Sequence, residues 1–254
     1  MNRQLKIHLK EIKYEFLKLL RLPAYSIPTL IFPLIFYLFF GIGFGSKSVG
    51  SVKMAAYLIA TYGAFGVIGA SLFGFGVTVA VERGEGWIES KRTTPMPISA
   101  YFVAKIAMAM LFSSIIVLSL FTLARFVGGI HLSIVQMLSL LGVLVPGAIT
   151  FCALGLAIGY FAGPNSAAPL VNLVYLPMSF LSGLWVPIWM LPKPVQMIAF
   201  FLPPFHFSQL ALKILGVSRT GSSLGHVTAM AIATVLFAFV AYLGYRRDEG
   251  KMYG

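Results

Sequence analysis

Apolar and polar positions follow two different patterns along the chain, and the first covers the N-terminal segment from Asn2 to Leu22. Basic residues lie on one flank of an apolar stripe there, whereas Glu11 and Glu15 lie on the other. At 100° per residue, the stripe consists of Leu5, Leu9, Ile12, Phe16, Leu19 and Leu20. An apolar face with basic flanks is typical of a helix in the headgroup region. We expect an interfacial amphipathic helix over 1–22, which either anchors the chain or docks a partner.

Beyond this segment, the second pattern is a series of long apolar runs. A membrane-spanning helix needs about 20 predominantly apolar residues. Pro23 and Pro28 are expected to separate the surface helix from the first span, because proline interrupts the helical ladder. Six spans are predicted, near Ile27–Gly45, Met54–Val81, Ala100–Phe126, Ile134–Phe161, Ala167–Val186 and Val227–Tyr245.

The segment 187–225, between the fifth and sixth predicted spans, is rich in proline and aromatic residues. It is too broken to cross a bilayer and predicts short re-entrant helices at the outer interface. The fold class expected from these patterns is an all-α membrane protein. It has an interfacial amphipathic helix, six transmembrane helices and a re-entrant outer region, all within one domain over 1–254.

Composition and charge agree with a membrane location. The chain is 59% hydrophobic and 10% charged, with a mean hydropathy of +0.90, whereas soluble domains carry about 25% charged residues. Its net charge of +12 does not indicate nucleic-acid binding, because the basic residues flank apolar segments. With both termini in the cytoplasm, 13 of the 19 Lys and Arg residues, Lys105 among them, and all seven acids lie inside. This predicts a multi-pass membrane protein with both termini in the cytoplasm.

Residues suited to catalysis or metal binding are sparse. The histidines are far apart in sequence and have no metal-ligand spacing: His8, His131, His206 and His226. Cys152 lies in an apolar run and is expected to be a small buried hydrophobe. No ionisable residue is expected in mid-span, where proton- or ion-driven carriers usually keep one. We therefore expect no enzyme and an external energy source, with an ATP-independent secondary carrier or channel as the alternative.

One interval between the apolar runs is dense in charge. Glu82 to Arg92 holds three acids and three bases, with Trp87 among them, and Thr93-Thr94-Pro95 follows. This interval resembles the signature after the second span of ABC-2 type (type V, G-like) exporter permeases. The chain departs from that pattern at Trp87, where the family usually has Thr, and at Gly84, which replaces a frequent acid.

A second stretch carries the same resemblance. Phe180-Leu181-Ser182-Gly183-Leu184-Trp185-Val186-Pro187, followed by Leu191-Pro192 and Leu202-Pro203-Pro204-Phe205-His206, is similar to the family's fifth span and outer re-entrant helices. With the N-terminal helix and six spans, the resemblance covers essentially the whole chain. It implies a single ABC-2 type transmembrane domain, with 82–97 as a cytoplasmic coupling loop and 187–225 as the outer re-entrant region.

The resemblance also implies partners and roles. The chain would be a permease subunit of an ATP-driven exporter, paired as a homodimer and joined by two ATP-binding cassette ATPase subunits, which would hold the ATP and Mg. No cofactor is expected on this chain. Membrane lipid is expected to contact it, and nucleic acid is not. The cargo would be drug-like, lipid-like or glycan-type and would leave the cytoplasm by alternating access. The residues implied to couple to the ATPase are Glu82, Arg83, Glu85, Trp87, Glu89 and Arg92. The family's cavity-facing second and fifth spans put Tyr62, Phe65, Asn172, Tyr175 and Ser179 on the substrate pathway.

Overall fold

The computed structural model describes residues 3–43, 48–49, 52–94, 96–218 and 220–252, except for the side chains at 3, 42, 48, 49, 52, 89, 92 and 249–252. Its architecture is helical, with one antiparallel pairing of two-residue strands. The helices are α1 (Arg3–Leu20), α2 (Pro23–Phe36), α3 (Met54–Ser71), α4 (Thr78–Gly84), α5 (Trp87–Arg92), α6 (Ile98–Phe126), α7 (Ile134–Phe161), α8 (Ala167–Leu181), α9 (Lys193–Ala199), α10 (Pro203–Ile214) and α11 (Ser223–Met252). The strands are β1 (Ser48–Val49) and β2 (Val52–Lys53). The predicted all-α membrane fold is confirmed.

Helix starts follow local chemistry. Pro23 is the first residue of α2, where its missing N–H is not needed and its fixed φ suits a helix. The first span therefore begins four residues before the predicted Ile27, and its predicted end at Gly45 lies outside the described residues. Ser133 and Gln136 form a capping box that starts α7, with Gln136 N donating to Ser133 Oγ at 3.2 Å and Ser133 N donating to Gln136 Oε1 at 2.9 Å.

The second span is the centre of the subunit. A π-helical stretch, Leu72–Val77, joins α3 to α4, so the helix runs unbroken from Met54 to Gly84. Every residue of α3 is buried, which explains why its sequence is apolar on all sides. It packs against α2, α6, α7 and α10. The helix continues three residues past the predicted end of this span at Val81, through Glu82 and Arg83 to Gly84.

Small residues let the second and fourth spans approach closely. A Cβ built on Gly159 would lie 2.8 Å from the backbone oxygen of Gly76, and one built on Gly155 would lie 3.1 Å from the nitrogen of Gly76. Side chains at these positions would hold the two backbones apart. Gly155 and Gly159 of the fourth span thus serve packing within the chain.

Five of the described helices are long and apolar enough to cross a membrane, and they match predicted spans one to four and six. The predicted fifth span is a helix of only 15 residues, α8, about 22 Å long at 1.5 Å per residue. That is shorter than the hydrocarbon core of about 30 Å. In the region expected to be re-entrant, α9 and α10 are bent by 89° at their break, and α10 packs against α3, α7 and α11.

Candidate functional site

A buried ion network joins three helices at the end of the second span that the charge count assigns to the cytoplasm. Lys105, the eighth residue of α6, is 0% exposed. Its Nζ donates to Glu15 Oε1 at 2.6 Å, to Thr78 Oγ1 at 2.9 Å and to Glu82 Oε1 at 3.2 Å. Tyr101 OH donates to the second Glu82 oxygen at 2.6 Å. The third span thus holds the end of the second span and the N-terminal helix in one fixed arrangement.

Lys18 closes this network at its solvent side. Its ammonium pairs with Glu82 and lies 3.8 Å from Glu15. Partial burial opposes the charged form, but the Glu82 and Glu15 carboxylates outweigh it and raise the pKa of Lys18. A raised lysine pKa adds stability that is fully present below the unfolded value of about 10.4 and is lost only at higher pH. The pairing therefore persists at neutral pH.

The structure divides the apolar stripe predicted on α1. Leu19 is buried and Phe16 packs against Phe112 of α6 with ring centroids 5.3 Å apart, whereas Leu5 and Leu9 are about half exposed. The face with Glu11 and Glu15 turns toward the protein, where Glu11 pairs with Lys91 of α5. The helix is bound to its own subunit through both acids and half of its stripe. Its placement at the membrane interface stays a prediction.

A tight turn presents the charge-dense interval at this end of the subunit. Helix α4 ends at Gly84, and Gly86 adopts φ +73°, a left-handed conformation that favours glycine. A Cβ on Gly84 would lie 2.0 Å from Pro164 Cγ, so the acid frequent in the resembled family has no room here. Below α5, Ile88 packs against the cluster that contains Phe75, Val79 and Tyr101. The short helix α5 is therefore anchored on its inner face.

The residues predicted to couple to an ATPase separate into inward and outward groups. Glu82 is 7% exposed within the ion network, and Arg83 bonds the backbone oxygens of Tyr160 and Ala162 and lies 3.5 Å from Asp248. Glu85 and Trp87 face outward, with Trp87 58% exposed and its Nε1 donating to Glu85 Oε2 at 3.0 Å. The side chains of Glu89 and Arg92 lie outside the described residues. Of the described four, Glu85 and Trp87 are accessible to a partner.

The predicted pathway residues do not share one surface in this conformation. Asn172 is exposed on α8, whereas the other four are buried: Tyr62, Phe65, Tyr175 and Ser179. Tyr175 OH donates to Phe65 O at 2.9 Å and its ring stacks on that of Phe65 at 4.8 Å. Asn172, Tyr175 and Ser179 are spaced for one face of α8, but only Asn172 is exposed. Their place on a substrate pathway stays a prediction.

An aromatic cluster surrounds these buried residues. Trp185 stacks on Phe36 at 5.5 Å and meets Phe65 edge-on at 5.6 Å, and Tyr62 OH donates to Trp185 O at 3.4 Å. Three buried polar atoms here have no hydrogen-bond partner within the described part of the chain: Ser179 Oγ, Ser182 Oγ and Trp185 Nε1. Buried polar groups are usually paired, so the cluster holds unused hydrogen-bonding capacity in this conformation.

Comparisons with known proteins agree with this architecture. A family model described as "ABC-2 type transporter" matches residues 11–216. A Bacillus subtilis (strain 168) protein named "Putative transport permease YvfS" is 28% identical over 236 residues, which cover 92% of this chain and 95% of that protein. The family match covers the second half of the N-terminal helix, the central span, the ion network, the outward-facing turn and the aromatic cluster. The chain belongs to the ABC-2 type transporter family and is a multi-pass membrane permease.

Proposed function

We propose that this chain is the permease subunit of an ATP-driven exporter, which works as a homodimer with two copies of a separate ATP-binding cassette ATPase. ATP and Mg would bind the ATPase chains, so no cofactor belongs to this polypeptide. The subunit would sit in the cell inner membrane with both termini in the cytoplasm. Membership of the family supports the ATPase partnership, and the position of α5 supports the place of contact.

The observation that carries this proposal is the exposed pair Glu85–Trp87 on a rigid base. A half-exposed indole next to a carboxylate is a favourable anchor for a protein groove, since Trp is enriched among residues that dominate binding. The base beneath it is fixed by Ile88, by the Lys91–Glu11 pair and by the buried Lys105 network. A displacement of α5 by the ATPase would be transmitted to the second and third spans through these contacts.

The aromatic cluster suggests the chemistry of the cargo. A pathway along α3 and α8 would present aromatic faces and a few neutral hydrogen-bonding groups, with Asn172 at its exposed edge. Neutral polar groups among aromatic rings suit an amphipathic, mostly apolar molecule. Drug-like or lipid-like compounds fit this description better than glycans. Opening the pathway requires that α3 and α8 separate, since the cluster is closed in this conformation.

The contact with the ATPase can be tested by removing the indole. Tagged wild-type protein purified from detergent-solubilised membranes of its own host is expected to carry an ATPase chain and vanadate-sensitive ATPase activity. Trp87→Ala should lower the retained activity at least about tenfold, because a buried aromatic anchor contributes 2 kcal/mol or more to binding. Phe126→Ala is the matched control. Phe126 is also an exposed aromatic residue, but it lies at the end of α6 that is far from α5.

Two outcomes would contradict the proposal in different ways. Retention of the same ATPase activity by Trp87→Ala and wild type would place the contact elsewhere on the subunit. Purification of a stable wild-type chain that transports without any ATPase would favour the secondary carrier or channel.

Topology is tested by cysteine labelling. Ser90 and Ser222 are both exposed, and the native Cys152 is buried, so background labelling should be low. In intact cells, a membrane-impermeant maleimide should label Ser222→Cys and leave Ser90→Cys unlabelled until the cells are opened. Labelling of Ser90→Cys from outside would reverse the proposed orientation.

A further inference from the structure

Two histidines that are 20 residues apart in sequence meet at the opposite end of the subunit from the ion network. His206 is on α10 and His226 is in the first turn of α11, and their Nδ1 atoms are 2.9 Å apart. Sequence spacing gave no sign of this contact. It joins the bent helix pair α9–α10 to the last span.

Both outer nitrogens of this pair point at backbone carbonyl oxygens. His206 Nε2 lies 2.9 Å from Phe200 O, and His226 Nε2 lies 3.0 Å from Thr220 O. A carbonyl oxygen only accepts hydrogen bonds, so both Nε2 atoms must carry a proton. Turning either ring over would place a carbon against its carbonyl and lose that bond, so the two acceptors also fix the ring orientations.

The number of protons on the two rings decides whether the contact between their Nδ1 atoms is repulsive or attractive. A neutral imidazole holds one proton, and here that proton is on Nε2 in both rings, so two neutral rings would oppose two lone pairs across 2.9 Å. One added proton between the Nδ1 atoms turns this repulsion into a charge-assisted hydrogen bond. A second added proton would place two cations in contact.

The surroundings oppose the added proton, so the contact between the two Nδ1 atoms must itself hold it. Neither ring is paired with a carboxylate in the described part of the chain, and burial and the ammonium of Lys213 on α10, whose Nζ donates to Gly221 O at 2.7 Å, both disfavour a charge on His226. Phe205 meets both rings edge-on, at 5.4 and 6.1 Å between centroids. A metal ion would need further ligands, and no group of three or more His, Cys, Asp or Glu residues lies together among the described residues.

We propose that His206 and His226 form a proton-binding site in which one proton, shared between the two Nδ1 atoms, fastens α9 and α10 to the start of α11. The cationic pair holds together Phe200 at the end of α9, the loop residue Thr220 and the two helices that carry the rings. Gain of a second proton or loss of the shared one opens the contact. The site depends on neither the ATPase nor the cargo, so its test is independent of the proposed function.

The test measures the Tm of the purified full chain in detergent across about pH 5 to 9, the range in which histidines titrate, with EDTA present. The wild type should be most stable at an intermediate pH and lose roughly 5 °C on each side. His206→Gln and His226→Gln should flatten both limbs, because an amide can bond the carbonyl but cannot take up the proton. His131→Gln is the matched control, since His131 is exposed and outside the pair, and it should keep the wild-type profile.

A second measurement does not depend on the variants' folding. Nitrogen-15 NMR of the wild type labelled at histidine should show, at the pH of maximum stability, two rings whose Nε2 atoms are protonated and whose Nδ1 atoms share one proton. Two rings that are neutral at that pH and titrate independently would overturn the proposal. So would a dependence of Tm on pH that is the same in both variants as in the wild type. A rise in Tm with added Zn²⁺ that EDTA reverses and both variants abolish would overturn it too, in favour of a metal site.

Discussion

Replacing Lys105 with methionine should destabilise the protein more than any other single change to the network at its charged end. Methionine keeps most of the volume of the lysine stem but removes the buried cation. Among the described residues, Glu15 and Glu82 are then left facing each other with Lys18 as their one remaining cationic partner. Removing one partner of a buried ion pair costs about 3–5 kcal/mol. We expect Tm to fall by about 10 °C in detergent, with lower yield of assembled protein.

A second substitution at Glu82 and a control at an exposed lysine test whether the buried charge causes the loss of Tm. Adding Glu82→Gln to Lys105→Met leaves one acid, Glu15, beside one base, Lys18, and should restore a large part of the lost Tm. Lys10→Met removes an exposed lysine from α1 and should change Tm little. If Lys105→Met and Lys10→Met have equal Tm, Lys105 does not hold the network together.

The sequence predicts the existence of the spans better than their ends or depth. Long apolar runs place five of the helices correctly, because a bilayer requires every backbone group to be bonded within a helix. The helix of the second span runs three residues past its predicted end, since Glu82 and Arg83 look like loop residues until their partners are known. Those partners, Lys105 and Tyr160, are 23 and 77 residues away. A pattern of neighbouring positions carries no information about such contacts.

The candidate site was predicted in part for the same reason. The charge-dense interval was found from its composition, but which of its side chains face a partner depends on Pro164, Glu11 and Lys105. Lys105 itself gave a weak signal, as a charged residue inside an apolar run. Asn172, Tyr175 and Ser179 share a face by helical spacing alone. Other elements decide which of them are covered, as Phe65 of α3 covers Tyr175, and such contacts cannot be deduced from the periodicity of α8.

The close approach of the second and fourth spans leads to the other large expected effect. In Gly159→Ala, the new methyl carbon would lie 2.8 Å from Gly76 O, and a backbone oxygen in the middle of a buried helix cannot turn away as a side chain could. The helices must separate by several tenths of an ångström along a line of tightly packed atoms. Overpacking of this kind costs about 1–3 kcal/mol, so we expect Tm to fall by roughly 5 °C.

The control for this prediction is on the same helix. Gly142 of α7 has no heavy atom within 4 Å of a Cβ built on it, so Gly142→Ala makes the same chemical change without the contact. It should leave Tm unchanged or raise it slightly, because alanine favours a helix over glycine by up to about 1 kcal/mol. The comparison separates packing from helix propensity, and the two should act in opposite directions at these two positions. Equal Tm values for the two alanine variants would mean that the second and fourth spans are farther apart than the 2.8 Å contact requires.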